Sequence, residues 1–83
     1  MSDKEEGPPV VFRVRYGRDT FSCRGFLVWE GGICCAVADP ADEYSAYVPD
    51  RVRLEESDLE LKRDAETGRE WYQYHGFIVV PYV

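Results

Sequence analysis

The sequence predicts an all-β, β-rich domain: a small antiparallel sheet, curled or closed into a barrel, of five to six short strands with at most one short helical turn near residues 40–47. Three observations lead there. Apolar residues recur with period two from Val10 to Tyr16. Gly31-Gly32 separates two apolar runs, which is the chemistry of a tight hairpin. A ring-rich run from Trp71 to Val80 follows a polar loop that ends in Gly68.

Met1 to Pro9 is polar and acidic and ends in Gly7-Pro8-Pro9, so residues 1–9 are expected to form a flexible leader, without the pattern of a secretory signal. Residues 10–83 then make a single β-rich domain. In the first strand Val10, Phe12, Val14 and Tyr16 share one face, and Gly17-Arg18-Asp19 supplies a turn. Thr20–Trp29 and Ile33–Ala38 follow. A loop of Gly31-Gly32 alone sets Glu30 opposite Ile33, Trp29 opposite Cys34, Val28 opposite Cys35 and Leu27 opposite Ala36. Both faces of that hairpin are apolar, so a central place covered on both sides is expected. Gly25 within the run predicts a bulge or sharp bend.

Asp39, with Pro40 behind it and acids following, reads as the cap of a helical turn that runs through Tyr47 and stops at Val48-Pro49. Arg51–Leu54 alternates as a short edge strand, and Glu55–Ser57 is a loop. Asp58–Arg63 and Arg69–Tyr74 form a second hairpin around Asp64–Gly68, with Gly68 left-handed. Leu61 then faces Tyr72, Leu59 faces Tyr74 and Lys62 faces Trp71. Phe77–Val80 is a last strand, ended by Pro81.

Eighty-three residues suit one domain, which buries only roughly 60–65% of its unfolded surface. Cys23, Cys34 and Cys35 are an odd set with no Cys-x-x-Cys spacing, and His75 is the single histidine. Disulfides, a metal and a cofactor are therefore not expected, and self-association is the remaining way to supplement a modest core. No run approaches the roughly 20 apolar residues of a membrane span. A reducing cytoplasm is the expected location.

The net charge is −6, unevenly placed. Pro8–Ala38 carries Arg13, Arg15, Arg18 and Arg24 against Asp19 and Glu30, a net of +2, whereas Asp39–Glu70 nets −6. The total disfavours nucleic acid as a partner.

No nucleotide-binding, nucleophile-elbow or EF-hand spacing occurs, and the paired carboxylates fall in loops where solvent keeps them ordinary, so an enzyme is not expected. The reading that follows is a small acidic, non-enzymatic protein-interaction domain, self-associating through apolar and aromatic strand surface. Its candidate contacts are Trp71, Tyr44, Tyr47 and Lys62, because Trp and Tyr give large contact area for little rotamer entropy. The alternative is an acidic inhibitor, of the immunity or anti-defence type, occupying a basic nucleic-acid-binding site on another protein. It would use Asp42, Glu43, Glu55, Glu56, Asp58 and Glu60. A third reading is a small-ligand barrel with an apolar pocket near Trp29 and Cys34.

Overall fold

Two turns whose glycines take the positive φ that other residues avoid fix the middle of the chain. Gly31 and Gly32, at φ +58° and +81°, join β2 (Asp19–Glu30) to β3 (Ile33–Ala38). The pairing runs from Glu30↔Ile33 to Gly25↔Ala38, in the register expected from a two-residue loop. Upstream, β1 (Pro9–Tyr16) turns into β2 through Gly17-Arg18. The computed structural model describes residues 7–80. Most of the expected leader and Pro81 lie outside those residues. Within them Pro8 is already engaged, its carbonyl accepting from Leu27 N–H at 2.9 Å.

The remaining elements are a 3₁₀ turn η1 (Glu43–Tyr47), a two-residue β4 (Val52–Arg53), a second 3₁₀ turn η2 (Glu56–Asp58), β5 (Leu59–Arg63) and β6 (Glu70–Val80). β5 and β6 pair with Leu61 opposite Tyr72, Leu59 opposite Tyr74 and Lys62 opposite Trp71. That register also matches the expectation, with Gly68 at φ +74° closing the loop.

All six strands form one mixed sheet in the order β4-β3-β2-β1-β6-β5. The all-β class and strand number stand. Two refinements follow: the sheet does not close into a barrel, and β1 pairs with β6 in parallel, where antiparallel pairing throughout was expected. β4 and β5 are its opposite edges, yet only Leu54–Asp58 connects them. Five flat inter-strand gaps would separate those edges by about 24 Å. Six Cα steps reach at most about 20 Å, and less through a 3₁₀ turn. The sheet must therefore curl, and the connection crosses its concave side. Leu54 N–H donates to Cys34 O at 2.9 Å and Glu55 N–H to Tyr74 Oη at 3.4 Å. The Leu54 side chain drops into the core between them.

The core occupies the concave face: Val10, Phe12 and Val14 from β1, Cys23 and Leu27 from β2, Cys34 and Ala36 from β3, Tyr74 and Ile78 from β6, with Leu54. Period two sorts each strand. The central hairpin is apolar on both faces as read, but its convex side chains Phe26, Val28, Cys35 and Val37 are half-buried, where full cover on both sides was expected.

Three local features differ from expectation. Gly25 sits in regular register with Val10 and Ala38, so it marks no bulge. Its role is close approach: a Cβ there would lie 2.3 Å from Val37 O and 3.1 Å from the Phe12 ring. The register shift falls instead in β6, where Val11↔Gln73 is followed by Arg13↔Phe77. Two extra residues keep the alternation in phase, so Gln73 and Phe77 stay on the convex face. The helical turn is shorter than expected and capped by Asp42, not Asp39. The Asp39 carboxylate accepts from Ala41 N–H, while that of Asp42 accepts from Tyr44 N–H at 2.9 Å. Glu56–Asp58, expected as loop and start of strand, is the second 3₁₀ turn.

Candidate interaction surface

β2 is twelve residues long and changes partner along its length. β1 covers Asp19–Phe26, while β3 covers only Gly25–Glu30. From Asp19 to Arg24 one edge of β2 therefore faces no strand. In an antiparallel ladder the N–H and C=O of one residue point to the same side and alternate from residue to residue. Leu27 N–H points to the β1 side, toward Pro8, and Arg24 O points the other way, toward Asp39 N–H at 2.8 Å. Ser22 and Thr20 share the parity of Arg24. Their backbone groups thus point out of the open edge, and no described residue pairs with them. The edge is closed only at its inner end. There Arg24 N–H donates to Asp42 Oδ2 at 3.1 Å and the Arg24 guanidinium sits 3.5 Å from the same oxygen.

Asp42 thus holds two elements together, η1 and the end of the open edge. Burial raises its carboxyl, but the hydrogen bonds from Tyr44 N–H and from Arg24 more than offset this and hold it below the ordinary aspartate value.

Beside the open edge η1 brings two rings against two from the β1–β2 turn. Phe21 and Tyr44 stack at 4.5 Å, Tyr16 and Tyr47 lie 5.4 Å apart, and Phe21 and Tyr47 5.8 Å. These rings, with Asp19 and Thr20, line a groove of about 360 Å³. Tyr44 and Tyr47 remain 37% and 47% exposed. A second depression, about 320 Å³, continues along the edge past Ser22 to Asp42 and Glu43.

The candidate contacts therefore divide. Tyr44 and Tyr47 come together in this groove. Trp71 and Lys62 pair across β5 and β6 on the convex face, where Trp71 lines another groove with Val11, Phe26 and Arg69. Tyr16 and Phe21, not singled out from the sequence, complete the ring cluster. Their only sequence signal is that both lie at the β1–β2 turn on the face of the core residues.

The acids divide as well. Asp42 is committed to its cap. Glu56 Oε2 accepts from Trp29 Nε1–H at 3.2 Å, and Glu60 Oε1 lies 2.7 Å from His75 Nε2. Of the six, only Glu43, Glu55 and Asp58 hold no side-chain partner among the described residues; Glu43 opens η1, whereas Glu55 precedes η2 and Asp58 ends it. A depression beside Cys34 is lined by Ile33 and Leu54 together with Arg53, Glu55, Glu56 and Ser57, and Trp29 is not among its lining residues.

Two of the three thiols, Cys23 and Cys34, are buried and poorly placed for nucleophilic work. Burial pushes Cys23 up to about 11, with the Asp42 and Asp39 carboxylates adding to it, and burial with nearby Glu56 also raises Cys34. Among the described residues no group of His, Cys, Asp and Glu could hold a metal ion, and no helix is long and apolar enough to cross a membrane.

The sequence matches no family model and no curated protein, and the fold matches no solved structure.

Proposed function

We propose that this chain is a non-enzymatic protein-interaction domain that receives an extended segment of a partner chain along the open edge of β2. The observation that carries the reading is the unpaired stretch Thr20–Ser22, closed at Arg24 by Asp39 and Asp42 and backed by the ring groove. A segment added there gains main-chain hydrogen bonds from both residues. Its side chain opposite Phe21 points to the concave side, onto the stacked Phe21 and Tyr44 rings. Three free cysteines suit a reducing compartment such as the cytoplasm.

Proline at Thr20 tests this. Thr20 N–H makes no ladder bond, so Thr20→Pro removes an edge donor without removing a hydrogen bond of the fold. A displayed library of random short peptides is selected on the wild-type chain, and light scattering is run across a concentration series. Selected peptides are expected to lose binding to Thr20→Pro and to Tyr44→Ala. Peptides, or a self-association, that Thr20→Pro leaves intact would overturn the edge as the site.

A further inference from the structure

The convex face of β1 carries a feature that the edge site does not use. Register places Arg13 between Ser22 of β2 and Phe77 of β6, and Arg15 between Thr20 and Val79. All six side chains share the convex face. The two guanidinium carbons lie 4.4 Å and 5.3 Å from the centroid of the Phe77 ring, which is 41% exposed. Two like charges are thus held against one ring with no acid in either row.

Neither arginine holds a carboxylate, although the chain has sixteen acids and ten bases; among the described residues Arg18, Arg53 and Arg69 share that lack, but not the pairing over one ring. Elsewhere Arg24 holds Asp42, Arg51 holds Glu30, Lys62 lies near Glu60 and Arg63 holds Glu70. Arg13 has only His75 O, 3.3 Å from Nη2, and its buried Nε has no partner. Arg15, exposed, holds no carboxylate among the described residues. Two of the four arginines of Pro8–Ala38 thus form a cationic strip without carboxylates on an acidic protein.

We infer that this strip is a docking site for an acidic peptide segment with carboxylates at alternate positions. Arg13 and Arg15 are two residues apart on one strand, about 6.6 Å, which is also the spacing of same-side residues in an extended peptide. The exposed Arg15 guanidinium offers a planar fork that fits a carboxylate, and Arg13, whose Nε is buried and whose Nη2 donates to His75 O, offers its remaining Nη donors. Phe77 and Val79, the latter 68% exposed, give an apolar residue between the carboxylates a surface to cover. A nucleic-acid strand would present anions too, but its successive bases need several rings to stack on, and both guanidiniums of the strip share the single ring of Phe77. The site is on a different face from the β2 edge and stands without it.

The probe is a short capped peptide with glutamate at alternate positions and one central valine, titrated into the full chain by NMR. The controls are its glutamine counterpart and oligo-dT. Expected are shift changes at the Arg13 and Arg15 side chains and the Phe77 ring, with affinity falling about tenfold between roughly 25 mM and 300 mM salt. Arg15→Gln should weaken binding about fivefold and Arg15→Glu more, by loss of one charge-assisted contact. The melting temperature should move by no more than about 5 °C, since Arg15 is exposed and its one contact is with the Phe77 ring. Equal binding of the glutamine peptide, unchanged affinity in Arg15→Glu, or tighter binding of oligo-dT at the same residues would each overturn the assignment. Tyr44→Ala, which alters the ring groove on the concave side, should leave this binding intact, so failure here is distinct from failure of the edge site.

Discussion

Replacing Asp42 by alanine tests whether one carboxylate builds both the wall and the end of the open edge. Three contacts are lost: the cap on Tyr44 N–H, the acceptor for Arg24 N–H and the guanidinium contact. A lost 3₁₀ or helix cap costs about 1 kcal/mol. The Arg24 N–H lies at an exposed edge where water can replace the carboxylate, so it adds about 0.5 kcal/mol. The guanidinium, itself largely exposed, contributes at most about 0.5 kcal/mol. The total is about 1.5–2 kcal/mol, set against roughly 4–12 kcal/mol for a domain of this size. That corresponds to a fall in melting temperature of about 10 °C.

Asparagine separates the parts. It keeps an acceptor for Tyr44 N–H and loses only the charge, so Asp42→Asn should cost about 0.5 kcal/mol. The pH dependence has a definite sign. The carboxyl of Asp42 is held below the ordinary aspartate value of 3.8. Its stabilisation is therefore complete above that value and lost as pH falls through the lower, folded value. Wild type and Asp42→Ala should converge in strong acid. Urea unfolding followed by tryptophan fluorescence gives the differences, and near-ultraviolet dichroism reports the Phe21–Tyr44 stack. A loss below about 0.3 kcal/mol in Asp42→Ala, or equal damage from alanine and asparagine, would refute the reasoning.

Other outcomes follow from the core and the surface. Phe12→Ala removes a fully buried ring beneath Gly25 and should cost about 3–5 kcal/mol, enough to unfold much of the population at 37 °C; a loss under 2 kcal/mol would mean the site collapses around the gap. Gly25→Ala forces a Cβ against the Val37 carbonyl and should prevent folding or cost more than about 3 kcal/mol, read by heteronuclear NMR; a well-dispersed spectrum near wild-type stability contradicts it. With a thiol-reactive dye near neutral pH, half-exposed Cys35 should react quickly and buried Cys23 and Cys34 only on unfolding, so a native stoichiometry above one thiol would be wrong. Glu60 is held below the ordinary glutamate value of 4.5, first by its hydrogen bond with His75 and then by Lys62. Any stability lost in Glu60→Gln should be present near neutral pH and vanish as pH falls below that value; a difference persisting at pH 3 removes the pair as its source.

Local chemistry made the hairpins readable. Gly31-Gly32 and Gly68 are the residues that tight loops require, and once a loop length is set, period two assigns every partner from Leu27↔Ala36 to Lys62↔Trp71. The β1–β6 pairing had no such anchor. It joins residues about sixty positions apart, and nothing near Val10 or Tyr72 marks a parallel neighbour. The cap of η1 was misplaced because Asp39 and Asp42 are both good caps by type. What decides between them is the distant backbone of Arg24, which engages Asp39 N–H and the Asp42 carboxylate together. The ring cluster was half legible for the same reason. Tyr44 and Tyr47 stood out by composition, whereas Tyr16 and Phe21 read as ordinary core-face residues until η1 folds back over them.

The open surfaces of this protein arise from a mismatch of strand lengths. β2 has twelve residues and β3 six, so half of one β2 edge has no ladder partner within the sheet. β6 has eleven residues and β5 five, so the Phe77–Val80 end of β6 extends past β5. Both overhangs lie at the β1–β2 turn, because β1 is the strand that pairs with each of them there. That end consequently gathers the unpaired backbone of Thr20 and Ser22, the ring groove on the concave side and the Arg13–Arg15 strip on the convex side. The opposite end is closed by the Leu54–Asp58 crossing and the buried Leu54. One end of the curled sheet is therefore built for stability and the other left available for contact, a division that follows from where the ladder runs out of partners.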